Sequence, residues 1–426
     1  MKNEKITRRN FIKSGTAAAA VVAGFPFVQT SRAQSVKPLK IGVIGFGGRG
    51  RGAADNALTS APDIHLVAVA DPFRDRIDEG LKVLTDPKRR EGPLKGIDVK
   101  EDHIFTGLYC HDKLLETDVD YVCLTGPPGF RPMQFEAAIK AGKHVFMEKP
   151  VATDPVGIRK ILKTAKLAEK KGLSVVVGFN FRHHVGVRET IDRIRKGQMG
   201  EVLTARSYFN TGTLWHRGED PSWTEMEYQC RNWYYYCWLS GDHIVEQHIH
   251  YIDLTNWVMG GYPVKALSVG GREVRTDPKF GNIYDHFAVD YEFSDDRHAL
   301  AMCRQTANCD NLTGTYAVGT KGKSPLREAE ITGQNPWKYN KEVVNPQVYE
   351  HWELIESIRN GKPLNEAENG AYSTLTAIMG RESAYTGKAI TWEEILNSDL
   401  DLFPKNVEFG PVRNRAVPIP GEPRPI

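Results

Sequence analysis

An α/β domain on a parallel sheet, followed by an α+β domain on an antiparallel one, is the architecture that this 426-residue sequence predicts. Three observations predict it. A short apolar strand, Lys40 to Ile44, runs into Gly45-Phe46-Gly47-Gly48-Arg49-Gly50 and then into a helix near Ala53. A second apolar stretch, Ala141 to Met147, reads as a buried strand that ends in Glu148-Lys149-Pro150. Beyond Asn180 the pattern changes: Phe287, Val289, Tyr291 and Phe293 alternate with Ala288, Asp290 and Glu292, as in a half-buried antiparallel sheet.

Length alone favours two domains. Hydrophobic residues make up 40% of the chain and charged residues 26%, an ordinary globular balance that excludes a membrane bundle or a disordered chain. The net charge of +3 is concentrated at the start, where Lys2, Lys5, Arg8, Arg9, Lys13 and Arg32 face only Glu4. The remainder is slightly acidic, which argues against nucleic acid as a partner. Residues 1–33 read as a targeting segment. Thr7-Arg8-Arg9-Asn10-Phe11-Ile12-Lys13 is a twin-arginine pattern, the run from Ala17 to Val28 is too short to span a bilayer comfortably, and Ser31 and Ala33 flank a cleavage site. The expectation is export in the folded state to the periplasm, with no stable membrane insertion afterwards. No cysteine pair has C-x-x-C spacing; Cys230 with Cys237 and Cys303 with Cys309 are left open as disulfides.

The first domain is expected over residues 38–180. The G-x-G-x-x-G spacing makes it a Rossmann fingerprint: one glycine for the tight turn, one for approach to a pyrophosphate, one for helix–strand packing. The next strand, His65 to Ala70, ends in Asp71, 21 residues past Gly50, where a carboxylate accepts the ribose hydroxyls of a dinucleotide. Asp71-Pro72 as a plain strand-ending turn is the alternative. A carboxylate there favours NAD, while Arg49, Arg51 and Arg74 leave NADP open. Residues 85–103 read as a charged surface loop. Helices at 111–116, 133–141 and 155–171 separate strands at 120–124, 141–147 and 174–179, and Thr125-Gly126-Pro127-Pro128 closes one of them. Lys149, at the carboxyl end of its strand, points into the crevice where such sheets bind ligands. An ion pair with Glu148 is its structural alternative. The second domain is expected over 181–400 and a proline-rich tail over 401–426.

These pieces, with Gly319-Thr320-Lys321-Gly322 and Ser383-Ala384-Tyr385-Thr386-Gly387 in the same order, resemble the Gfo/Idh/MocA oxidoreductases over roughly residues 38–395. The resemblance implies a large open sheet in the second domain, often an oligomer interface, and hence a homo-oligomer. It implies a nicotinamide cofactor held by Gly45, Phe46, Gly47, Gly48, Arg49, Gly50, Asp71, Thr125, Pro127, Glu148 and Lys149. It also places an acid and a histidine four residues apart on the helix from Gly241 to Gly260, here Glu246 and His250. Glu246 and His248 depart from the usual Asp and small residue. Catalysis is expected from Lys149 and His250 flanking one substrate hydroxyl, with Glu246 orienting His250. His250 as an interface histidine remains the alternative.

His243, Glu246, Gln247 and His250 share a helical face, yet no H-E-x-x-H motif is present, and no metal is expected. Four of the eight tryptophans, Trp215, Trp223, Trp233 and Trp238, fall among Tyr228, Tyr234, Tyr235 and Tyr236. That cluster suits sugar stacking, or equally a core or interface. Arg182, Arg231, Trp233, Lys149 and His250 are the expected substrate contacts, and Arg131 stands where relatives often have histidine. The expected function is an exported NAD(P)-dependent oxidoreductase acting on a sugar, glycoside or polyol with a tightly bound cofactor. The alternatives are an NAD-dependent glycoside hydrolase working by oxidation, elimination and reduction, and a non-catalytic sugar- or dinucleotide-binding protein.

Overall fold

The computed structural model describes residues 37–88 and 94–424. The twin-arginine segment lies outside them.

Strands β1 (Leu39–Ile44), β2 (Ile64–Asp71), β3 (Ile104–Thr106), β4 (Tyr121–Leu124), β5 (His144–Met147) and β6 (Val175–Val177) form a parallel sheet in the order β3-β2-β1-β4-β5-β6. It is a Rossmann sheet, and both its faces are covered, which is why its strands are apolar almost throughout. Period-two alternation divides them between two cores. Leu39, Ile41 and Val43 pack with Ala53 and Ala57 of the Gly48–Ser60 helix on one face, and Ile44, Ala68 and Ala70 pack on the other. The chain returns to this domain late: Leu354 and Ile355 of the Pro346–Arg359 helix join the first of these cores.

Strands β7 (Val202–Thr211), β8 (Lys265–Gly271), β9 (His286–Glu292), β10 (His298–Gln305), β11 (Leu312–Gly319), β12 (Gly322–Pro325), β13 (Glu330–Gly333), β14 (Trp337–Lys338) and β15 (Ile390–Thr391) form the second sheet. Its neighbours are antiparallel except β7 and β10. The helices Ile249–Met259 and Ala367–Thr386 cover its inner face. The outer face is open: Leu267 is 54% and Val269 69% exposed. Among the described residues no helix is long and apolar enough to cross a membrane.

Two elements differ from expectation. The 85–103 stretch is not all loop, since Ile97 bridges Leu66 and β3 follows directly. The helix expected from Gly241 opens with a π turn, Ile244–His248, before becoming α-helical. The proline-rich tail is extended but packs onto its own chain, with Leu402 and Val407 buried. All six cysteines are free.

Candidate active site at the carboxyl edge of the parallel sheet

The glycine loop is built for a close ligand. Gly45 has φ of +91°, and a Cβ there would strike the Gly126 backbone; one on Gly50 would strike the Gly45 carbonyl. Gly47 and Gly48, by contrast, face open space at the N-terminus of the Gly48–Ser60 helix, whose N-cap residue carries no capping side chain. That uncapped helix end offers free amides to a pyrophosphate. Thr125 Oγ1 donates to the carbonyls of Ile44 (3.0 Å) and Gly45 (2.7 Å), pinning the turn, and Pro127 leads into the 3-10 turn Pro128–Phe130. The Phe46 ring is buried beneath Gly80, so only its backbone belongs to the loop.

Asp71 Oδ2 accepts the Phe46 N–H at 2.8 Å and Oδ1 the Phe73 N–H at 3.0 Å. Each oxygen retains a lone pair for a ribose hydroxyl. Burial raises its pKa to about 6, against the pull of those two amides. The three arginines that left NADP open all have carboxylate partners. Arg49 pairs with Glu148 and lies 3.5 Å from Glu350, Arg51 is 3.3 Å from Glu79, and Arg74 is 2.8 Å from Asp78 and also pairs with Glu101. The residues present therefore fit NAD, with an acidic ribose site and no unclaimed arginine for a 2′-phosphate among these three.

Lys149 does not pair with Glu148. Its Nζ crosses to the π turn, donating to the Glu246 carbonyl oxygen at 2.6 Å and to Glu246 Oε1 at 3.0 Å. Their side chains are only 10% and 9% exposed. An ammonium has three donors, so one remains. Glu246 Oε2 and His250 Nδ1 are also buried without a partner in the protein. Unsatisfied buried polar atoms are rare, and three such capacities meeting at one strand end mark a place for a polar ligand. Glu246, which lies in the π turn, thus orients Lys149 and not His250 as the sequence suggested. His250 is held instead by the edges of Phe179 (6.3 Å) and Phe181 (6.0 Å). Burial, and then the positive charges of Lys149 and Arg49, push its pKa well below the ordinary value. The shift favours the neutral imidazole, whose Nδ1 has no partner in the protein.

The other expected substrate contacts are engaged elsewhere. Arg182 forms a bidentate pair with Asp253 (2.7 and 2.8 Å) and lies over Trp257. Arg231 is paired with Glu227 (2.8 Å) and Asp75 (3.0 Å) and stacks 3.9 Å from the Phe73 ring centroid. Trp233 packs against Trp215 and Tyr234, and Trp238 is buried with its Nε1 on Gln229. Sequence reasoning gave no role to Glu350, which braces Arg49, and missed the use of Arg131. Arg131 is buried and donates to the carbonyls of Leu124 and Gly126 at 2.8 Å and Pro150 at 3.3 Å, tying the two strand-end loops together. Nothing local in the sequence signals either.

Residues 39–179 match an oxidoreductase family described as having an NAD-binding Rossmann fold, and residues 187–324 match the Gfo/Idh/MocA C-terminal domain. The chain belongs to the Gfo/Idh/MocA oxidoreductase family. It is 27% identical over 217 residues to a 2,7-anhydro-N-acetylneuraminate hydratase of Escherichia coli, covering 50% of this chain and 53% of that one. It is 26% identical to an inositol 2-dehydrogenase of Rhizobium meliloti, covering 59% and 63%. The match thus spans about half to two-thirds of these relatives' length. A scyllo-inositol dehydrogenase of Lactobacillus casei, solved with NAD(H) and scyllo-inositol, superposes with a TM-score of 0.61 at 21% identity, covering 83% of this chain and 99% of that one. As a Gfo/Idh/MocA oxidoreductase the chain binds NAD through its first domain.

Proposed function

We propose that this oxidoreductase acts on a hydroxyl of a sugar, glycoside or polyol, and that it is exported with its cofactor already bound. The observation that carries the reading is the strand-end arrangement of a lysine, held by a buried carboxylate, and a neutral histidine. Bound NAD supplies the hydride acceptor. His250 accepts the substrate's hydroxyl proton, and the remaining Lys149 donor stabilises negative charge developing on that oxygen. Glu246 keeps Lys149 in place.

The twin-arginine pattern of residues 7–13 supports export to the periplasm. Free nicotinamide nucleotide is scarce there, which favours a cofactor that stays bound and is recycled by a second substrate. The open apolar face around Leu267, Val269 and Met302 supports a homo-oligomer formed through the second sheet. A second reading has a specific observation in its favour. One relative is a hydratase, whose reaction has no net redox change, so an oxidation–elimination–reduction cycle, including glycoside cleavage, is the rival.

The test is a spectrum of the native protein with each of a panel of polyols, sugars and glycosides, together with chromatography of the products. Growth of the reduced-nicotinamide band without added NAD supports the oxidoreductase with a retained cofactor. A flat band while a glycoside is split or water is added supports the rival.

A further inference from the structure

The C-terminal segment lies outside both stretches that match the family, and its path is informative. At its start Leu402 N donates to Asp154 Oδ2 (2.9 Å), and Phe403 packs on Phe130 (5.4 Å) and Trp238 (5.9 Å). Phe130 belongs to the loop after β4. Six residues later Phe409 packs on Phe73 (6.0 Å), in the loop after β2, and the Gly410 carbonyl accepts the Met226 N–H (3.1 Å). The tail then anchors on the second domain. Tyr284 OH donates to the Pro418 carbonyl (2.9 Å), Gly421 N to the Thr386 carbonyl (3.2 Å), and Arg424 pairs with Glu382.

In the sheet β2, β1 and β4 are consecutive, so the two loops are separated by about two strand spacings, roughly 10 Å. Six residues reach about 20 Å at most. The segment therefore runs from the loop after β4 to the loop after β2, the strands that flank β1 and its glycine loop. Phe73 sits two residues past Asp71, and Arg231, reaching from the second domain, stacks on the same ring and pairs with Asp75.

We propose that residues 403–410, with Arg231, are a strap that closes the adenosine end of the dinucleotide groove and slows cofactor release. The proposal rests on the functional reading above. It explains why the expected sugar-binding Arg231 is spent on the first domain: it fastens the two domains beside the ribose carboxylate. It also gives an exported enzyme a means of keeping its NAD.

The experiment loads the full chain with NADH and follows release by fluorescence after a chase with excess NAD. It is repeated for Phe409→Ala and for a chain ending at Pro404. The expected result is release faster by about tenfold in the shortened chain and by a smaller factor in Phe409→Ala. Unchanged release in both overturns the strap. Slower release or tighter binding in the shortened chain also overturns it, by making the tail a plug in the groove. Should the shortened chain not fold, Phe409→Ala decides alone. If the full chain holds no NADH at all, the functional reading falls and the strap with it; if it holds NADH and release ignores the tail, only the strap falls.

Discussion

Lys149 and Arg182 follow the neighbouring strands β5 and β6, and both reach across to the same helical segment, one to Glu246 and the other to Asp253. In the Arg182 pair the carboxylate is closed. Asp253 takes two guanidinium N–H groups and the Ser373 hydroxyl (2.6 Å), and it has no exposed side. The Lys149 pair is open, with one ammonium donor and Glu246 Oε2 still unclaimed and His250 Nδ1 unclaimed nearby. Two buried cation–carboxylate pairs of similar make therefore do different work. Saturation of the carboxylate separates the structural pair from the one that awaits a ligand.

The sharpest way to break this comparison is Lys149→Ala, which should lower turnover of the responsive substrate by about 10³-fold, within the range for loss of a donor that stabilises charge developing on oxygen. His250→Asn should cost about 10²-fold. Because His250 is held neutral, the acid limb of the wild-type kcat/KM profile should lie below the ordinary histidine range and should disappear in the variant. Steady-state rates against pH would check both.

Arg182→Ala should act on stability instead. It leaves Asp253 buried without its cation, at a cost of about 3 kcal/mol. Denaturant unfolding should report that loss, while KM for the sugar or polyol stays near wild type. A raised KM with unchanged stability would return Arg182 to the substrate site.

Asp71 gives the smallest effect. Its pKa of about 6 means that its carboxylate is charged above that pH and takes up a proton below it. A protonated Asp71 cannot accept from the Phe46 and Phe73 amides and both ribose hydroxyls at once. NAD affinity should hold steady above pH 6 and fall by about tenfold per unit below it. Asp71→Asn should remove that dependence, as titration calorimetry across the range would show.

The same contrast explains what was legible in the sequence. Gly45, Gly50, Thr125 and the Lys149 strand end were readable because backbone geometry dictates them: a turn with positive φ and a close helix contact admit few residues. Five strands of the parallel sheet and the Phe287–Phe293 strand of the second followed from apolar patterning. β3 did not, since three residues after a charged stretch carry no period. The partners of long side chains were not readable either. Arg182 and Arg231 reach carboxylates 71 and 156 positions away in sequence, and Lys149 chose Glu246 over its neighbour Glu148. The π turn that carries Glu246 shows in no local propensity.

The most direct test compares the two pairs in one reaction. Protein loaded with NAD is mixed with the responsive substrate, and the single-turnover rate of cofactor reduction per folded molecule is measured for wild type, Lys149→Ala and Arg182→Ala. The open-pair account predicts a loss of about 10³-fold for Lys149→Ala and a rate within a few-fold of wild type for Arg182→Ala. Lys149→Ala at the wild-type rate, or Arg182→Ala slowed as much, would contradict it.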